Sequence, residues 1–250
     1  MTWNIAEGRN DGRNKLPYNS CIPALADEIR RVNTDVVLLN EAVNYAGPPF
    51  GNGMHQVKEL KRLTGYPHAG WAHTTALGWT GHKVVAMLSR HPLSAFHYQP
   101  VPSPFPSYGM LFASTKIFGR HYRLVSLRFD AHNQGARKAG IRTLADAVRN
   151  SPGQAFIIGG DFNCGPILEP EYRQILVTGS SYALKDALLE RPDPDWCGIG
   201  GDKPEPIDRI LFRGAIPYER HPAVVRTEVT CPPPNVSDHP WVVAELEPRT

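Results

Sequence analysis

Ala155-Phe156-Ile157-Ile158-Gly159-Gly160-Asp161-Phe162-Asn163 is the stretch on which the fold turns. An apolar run leads into a glycine pair, then into a carboxylate and a carboxamide. A short, nearly continuous apolar run is how a strand buried on both faces reads. The glycines let another backbone or a ligand come close. Asp161 and Asn163 stand two apart, so on an extended chain both side chains point the same way. A carboxylate can orient or deprotonate a nucleophilic water, and an amide can hold a phosphate oxygen or the nucleophile. Gly, Asp and Asn are also turn formers, so a plain turn accounts for the same letters.

Working outward, Asp35 to Glu41 (DVVLLNE) is a second buried strand, and Thr2-Trp3-Asn4-Ile5, near the start of the sequence, reads as a strand. Further strand material runs over Lys83 to Ser89, Met110 to Ile117, Tyr122 to Phe129, Ile207 to Phe212, Val224 to Val229 and Trp241 to Leu246. Helices are expected over Pro23 to Val32, Met54 to Leu63 and Ala136 to Val148. In the first, Pro suits the opening turn, and Leu25, Ile29 and Val32 recur at helical spacing. Strand follows strand directly between residues 83 and 129, so simple strand–helix alternation fails there. That mixture favours two packed, mixed sheets with helices outside over a doubly wound parallel sheet. Clusters of Pro and Gly at Gly47 to Gly53, Pro100 to Pro106, Pro192 to Pro206 and Pro232 to Pro234 read as loops on one domain spanning 1–250.

Composition narrows the function classes. Of the 250 residues, 41% are hydrophobic, enough for a sizeable core. The net charge of +3 suits an anionic substrate but falls short of the concentrated basic face of a dedicated nucleic-acid binder. Cysteines at 21, 164, 197 and 231 form no CxxC pair, which argues against structural zinc and a dense disulfide framework. No apolar run approaches the roughly 18 residues of a membrane span. No leader is visible, so a cytoplasmic location is expected by default; a leader already removed would leave no trace.

Four segments place amide, carboxylate or imidazole groups at or just past the end of an apolar strand: Trp3-Asn4-Ile5, Leu39-Asn40-Glu41, Gly159-Gly160-Asp161-Phe162-Asn163 and Ser237-Asp238-His239. Strand ends on a rigid scaffold are where sites are presented. Glu41 follows Val-Val-Leu-Leu, at the mouth of the core. A hard cation such as Mg²⁺ takes oxygen ligands and often only one or two carboxylates; a surface Glu ending a strand reads the same way. His239 titrates near neutral pH and suits a general base or a cation facing phosphate. Asp208 is a charge inside the apolar run Ile207 to Phe212 and needs a partner, which a His–Asp pair would supply.

The pieces TWNI, LLNEA, GGDFN, IDRILF and SDHP, in this order over nearly the whole chain, are similar to those of the endonuclease/exonuclease/phosphatase (DNase I-like) superfamily. The resemblance implies a four-layer α/β sandwich of two mixed sheets flanked by helices, with a site at one end of the sheets. It implies Mg²⁺, or Mn²⁺ in its place, held chiefly by Glu41 with help from Asn4 and Asp238. It assigns Asp161 and Asn163 to the nucleophile and phosphate, and a His239–Asp208 pair to the base or electrophile role. Asn4, Asn163, Arg128 and His239 are then the groups facing phosphate. The expected activity is hydrolysis of a phosphodiester in nucleic acid, lipid or a small molecule, with no stable protein partner implied.

Two departures stand out. Asn40 occupies a position where the family usually has the longer Gln. Arg128 falls where the family usually has His, or Tyr in some members. A guanidinium can grip phosphate through two N–H groups, but it gives up no proton to a leaving group. These departures also allow a member that binds phosphate ligands or nucleic acid without cutting them. Other residues are open to two readings. His132, Asn133 and Arg137 fit a cleft wall or a helix start. Trp79 and Trp196 fit stacking on a base or lipid, or covering the core edge. Arg9, Arg13 and Lys15 fit an anion-facing loop or a solvated one.

Overall fold

The computed structural model of the chain describes residues 1–8, 19–46, 53–76, 81–104, 108–176, 183–190, 205–214, 223–230 and 236–247. Arg9, Arg13, Lys15, Trp79, Trp196, Cys197 and Cys231 lie outside them. The elements are β1 (Thr2–Asn4), α1 (Ile22–Val32), β2 (Val36–Ala46), β3 (Met54–His55), α2 (Gln56–Thr64), β4 (His68–Ala76), β5 (His82–Ser89), β6 (Leu93–Pro100), β7 (Gly109–Ile117), β8 (Arg120–Arg128), α3 (Gln134–Arg149), β9 (Ala155–Asp161), β10 (Lys185–Asp186), α4 (Ala187–Glu190), β11 (Asp208–Arg213), β12 (Ala223–Thr230) and β13 (Trp241–Glu247).

Among the described residues the strands form two sheets. One runs β12-β13-β1-β2-β5-β4, with β3 attached to β2; the other runs β10-β11-β9-β8-β7-β6. Both are mixed. The pairs β1–β2 and β8–β9 are parallel, and the remaining pairs are antiparallel.

The continuous apolar run of β2 is explained by burial on both faces. Val37 and Leu39 face the helix side, packing with Ile22, Leu25 and Ile29 of α1 and Val57 and Leu60 of α2. Val36 and Leu38 face the other sheet and meet Val85, Met87, Leu111 and Leu124. On the far side Phe156 and Ile158 of β9 pack with Ile141, Leu144 and Val148 of α3. The layers are therefore helix, sheet, sheet, helix, and each fully buried Leu, Ile or Phe contributes about 1.5–3 kcal/mol.

Helix α1 begins with Pro23 in its first turn and ends on Asn33, whose left-handed backbone (φ 57) returns its N–H to Ile29 O. Arg30 and Arg31 occupy the last turn, where cations suit the helix dipole.

Two sequence expectations are corrected. Met54 and His55 pair with β2 as a short strand, and the helix starts at Gln56 with the His55 ring accepting Lys58 N at 3.3 Å as its cap. Glu41 does not end its strand. β2 continues to Ala46, and its pairing with β5 shifts register between Leu39 and Ala42, with Glu41 in the left-handed region (φ 55). This is a bulge, which re-aims a side chain without ending the strand.

Candidate functional site

Register brings the chemistry together before any side chain is placed. Asn4 lies beside Asn40 in one sheet. In the other, Arg128, Asp161 and Asp208 stand in a row across β8, β9 and β11. Gly159 allows the two sheets to close here. A Cβ on it would stand 2.8 Å from Leu38 Cδ1 and 3.1 Å from Thr2 Cβ.

Asn4 spans the gap. Its Nδ2 lies 2.8 Å from Glu41 Oε1, 3.1 Å from Asp161 Oδ2 and 3.3 Å from His239 Nε2. Its Oδ1 accepts Ala6 N at 3.1 Å, which fixes the orientation of the amide. Ligand atoms of Glu41, Asp161 and His239 all lie within 4.8 Å of one another.

Glu41 is surrounded by cations. Arg128 Nη2 is 2.6 Å from Oε1, and Lys83 Nζ is 3.2 Å from Oε2. Lys83 also pairs with Glu7. Burial raises the Glu41 pKa, but Arg128, Lys83 and the Asn4 hydrogen bond outweigh it and take the carboxyl down to about 2. Arg128 also lies 5.1 Å over the Tyr108 ring. Its Nε is buried without a hydrogen-bond acceptor, 3.7 Å from Asp161 Oδ2.

Asp161 ends β9, and its Oδ1 accepts Asn163 N at 2.9 Å. Asn163 is not on an extended chain, as the sequence suggested. Its φ is 51, and its Nδ2 donates to Phe129 O at 2.9 Å. The two residues form a side-chain-to-backbone turn, in which Asn163 braces Asp161.

His239 Nδ1 is 2.7 Å from Asp208 Oδ2, and Asp208 is fully buried. Burial would lower the imidazole pKa, yet Asp208, with Asp161 and Asp238, raises it to about 10. Burial lifts Asp208 to about 6 against the pull of the imidazolium. The Asp208 carboxylate thus favours the imidazolium form of His239. Ser237 Oγ donates to Asn4 O at 2.7 Å and accepts His239 N at 3.2 Å, while Trp3 Nε1 donates to His239 O at 3.0 Å. These bonds hold the His239 loop against β1.

The remaining sequence candidates separate from this cluster. Asp238 is exposed. Asn133 Oδ1 caps α3 by accepting Ala136 N at 2.9 Å, Arg137 pairs with Glu169 at 2.9 Å, and His132 is exposed. Lys83, Glu7 and Tyr108 were missed. Lys83 heads an apolar strand, which is where a solvated lysine also sits, so no signal in the sequence distinguishes it.

The donor set fits a hard divalent cation. Two carboxylates, Glu41 and Asp161, are ligand chemistry for Mg²⁺ or Mn²⁺, which often take only one or two carboxylates and leave other positions to water and phosphate oxygens. The charges agree: Glu7, Glu41, Asp161 and Asp208 against Lys83, Arg128 and His239 leave the pocket one negative charge in excess, which repels phosphate until a cation is added. A cation on Glu41 must displace Arg128 or Lys83. Among the described residues no helix is long and apolar enough to cross a membrane.

The family model described as Endonuclease/Exonuclease/phosphatase family matches residues 1–239. No curated protein matches the chain in sequence. A solved endonuclease/exonuclease/phosphatase from Beutenbergia cavernae DSM 12333 is similar at 20% identity over 99% of this chain and 70% of that one, with a TM-score of 0.75. An endonuclease/exonuclease/phosphatase from Bacteroides vulgatus matches at 17% identity over 99% and 97%, with a TM-score of 0.71. D. rerio TDP2, complexed with single strand DNA product, matches at 18% identity over 97% and 96%, with a TM-score of 0.70. At these identities the likeness is one of fold.

Proposed function

Because the chain belongs to the endonuclease/exonuclease/phosphatase family, we propose that it is a divalent-metal-dependent phosphoesterase that cuts a phosphodiester by in-line attack of water. The observation that carries this reading is the meeting of Glu41, Asp161 and His239, with ligand atoms within 4.8 Å, from a bulge in one sheet, a strand end in the other and the loop before β13.

Glu41 and Asp161, which Asn4 Nδ2 bridges, are the residues that would hold Mg²⁺ or Mn²⁺. When bound, the metal supplies Lewis-acid charge that offsets negative charge developing on phosphate. Asp161, braced by Asn163, orients or deprotonates the water. The His239 imidazolium, kept charged by Asp208, and Arg128 face the phosphate oxygens; the unpartnered Arg128 Nε is a buried donor that an anionic oxygen would satisfy. Electrostatic positioning of this kind carries most of the acceleration in phosphoryl chemistry.

The substrate class is nucleic acid, lipid or a small phosphodiester. The structure of TDP2 with a DNA product supports including single-stranded DNA among the first substrates tried. The test is hydrolysis across abasic DNA, single-stranded DNA, RNA, sphingomyelin and inositol phosphates, with EDTA and then with Mg²⁺ or Mn²⁺ restored. Chelator-sensitive cleavage of one class, lost by orders of magnitude in a folded Asp161→Ala protein, is expected. Activity indifferent to chelator, or a fully active Asp161→Ala protein, would remove the assignment. One observation favours a second reading as a phosphate-ligand or nucleic-acid binding module: Arg128 stands 2.6 Å from Glu41 and closes the carboxylate that a metal needs. Calorimetric binding of the same substrates without hydrolysis of any would select it.

A further inference from the structure

Arg128 is held by the wrong partner for a phosphate-binding group. Its Nη2 is spent on Glu41 Oε1 at 2.6 Å, while its Nε makes no hydrogen bond, standing 3.7 Å from Asp161 Oδ2, and the ring of Tyr108 backs it at 5.1 Å. Glu41 has no free oxygen in this state: Asn4 and Arg128 take Oε1, and Lys83 takes Oε2. Lys83 is in turn anchored by Glu7. The metal ligand and the phosphate ligand therefore neutralise each other as long as neither guest is present.

Resting on the metal-dependent reading above, we propose that Arg128 exchanges partners, from the Glu41 carboxylate to the phosphodiester, so that divalent cation and phosphate bind with positive coupling. The physical reason is that a guanidinium seated 2.6 Å from Glu41 Oε1 occupies the place a cation would take on that oxygen. A phosphodiester accepts two N–H groups from it, including the Nε that is unsatisfied now. Each guest removes a competitor of the other: phosphate withdraws Arg128 from Glu41, and the cation on Glu41 releases Arg128. Such coupling is reciprocal, so either guest can be titrated. Arg128 is a positioning residue for the metal and a direct contact for phosphate. Lys83 stays on Glu7 and sets the charge of the rest state.

The experiment is Mn²⁺ binding followed by electron paramagnetic resonance, with and without dimethyl phosphate, on the full chain and on Arg128→Gln. The coupling factor is the ratio of the two Mn²⁺ dissociation constants. For the wild type a factor of about ten is expected. Arg128→Gln should bind Mn²⁺ more tightly without the diester and show a coupling factor reduced at least about fivefold. A guanidinium that only adds to phosphate affinity, without leaving Glu41, would lower diester binding in the variant but leave the coupling factor unchanged. That result, or no coupling in the wild type while Mn²⁺ still binds, overturns the exchange and leaves the metal reading standing. No Mn²⁺ binding by either protein, with or without the diester, overturns the metal reading and the exchange together. If Arg128→Gln does not fold, Arg128→Lys decides in its place. Its ammonium lacks the two-pronged grip, so the coupling factor must fall, and an unchanged factor rejects the exchange.

Discussion

Asn40 Oδ1 accepts the backbone N–H of Asp161 at 3.1 Å, across the gap between the two sheets. Its Nδ2 donates to Leu127 O at 2.7 Å. One fully buried amide thus satisfies a donor on β9 and an acceptor on β8, immediately beside Glu41 in its own strand. Ser126 Oγ adds a parallel tie to Leu39 O at 3.1 Å.

Replacing Asn40 with Leu should therefore cost both stability and turnover. Asp161 N and Leu127 O would be left buried without partners, a loss on the order of 2–4 kcal/mol. The Asp161 backbone would also lose its cross-sheet anchor, and a shift of about 1 Å at a reacting group can cost about a hundredfold in rate. Urea unfolding together with steady-state kinetics on the folded fraction checks both. Wild-type stability in Asn40→Leu would show that the tie is not needed.

Asp208→Asn tests what keeps His239 charged. In the metal-free protein the imidazole pKa stands at about 10, raised by Asp208 against burial. The sign is that of a histidine gaining an anion: the charged form is favoured until pH rises through that value. Without the carboxylate, burial prevails and His239 becomes neutral by pH 7. Nitrogen-detected NMR of the EDTA-treated variant should show a neutral ring at pH 7.5. Its deficit in turnover should widen between pH 6 and 8. A ring still charged at pH 8 would place the source of the shift elsewhere.

How far the sequence discloses this arrangement depends on burial. β2 and β9 are legible because both faces are covered, so their apolar runs are unbroken. β4 (HAGWAHTTA) and β6 (LSAFHYQP) are not. Each stands at an edge of its sheet, and β6 is mostly exposed, so neither carries a clean period. The Asp161–Asn163 pair was legible as letters but not as geometry, because the left-handed turn at Asn163 overrides the extended-chain rule. Lys83 shows the limit. Its relation to Glu41 exists only through the pairing of β2 with β5 around a bulge, and no local pattern encodes which strand becomes the neighbour.

The glycine pair gives an ordered prediction. An alanine Cβ at Gly160 would lie 1.9 Å from Leu127 O, a backbone atom fixed by the β8–β9 ladder. At Gly159 the nearest atom is Leu38 Cδ1 at 2.8 Å, the end of a side chain that can rotate. Gly160→Ala should lose at least about 3 kcal/mol or fail to fold, and Gly159→Ala about 1–2 kcal/mol. Thermal unfolding of both decides. The reverse order would mean that the close approach of the sheets, and not the ladder, limits this corner.

Arg209 follows Asp208 on β11, and its side chain enters a different environment. Fully buried, it pairs with Asp186 at 2.6 Å and Glu205 at 3.0 Å and lies 5.3 Å over the Tyr172 ring. Glu205 also accepts Ile167 N and Leu168 N at 2.9 and 2.6 Å, and Asp186 accepts the Tyr172 hydroxyl at 2.8 Å. The guanidinium therefore fastens the segment after Asn163 to β10 and β11, behind the site. Arg209→Met leaves two buried carboxylates uncompensated, which costs about 3–5 kcal/mol. Guanidinium unfolding at pH 7 measures this. A loss under about 1 kcal/mol at pH 7 would mean that solvent reaches the pair and that the network adds little.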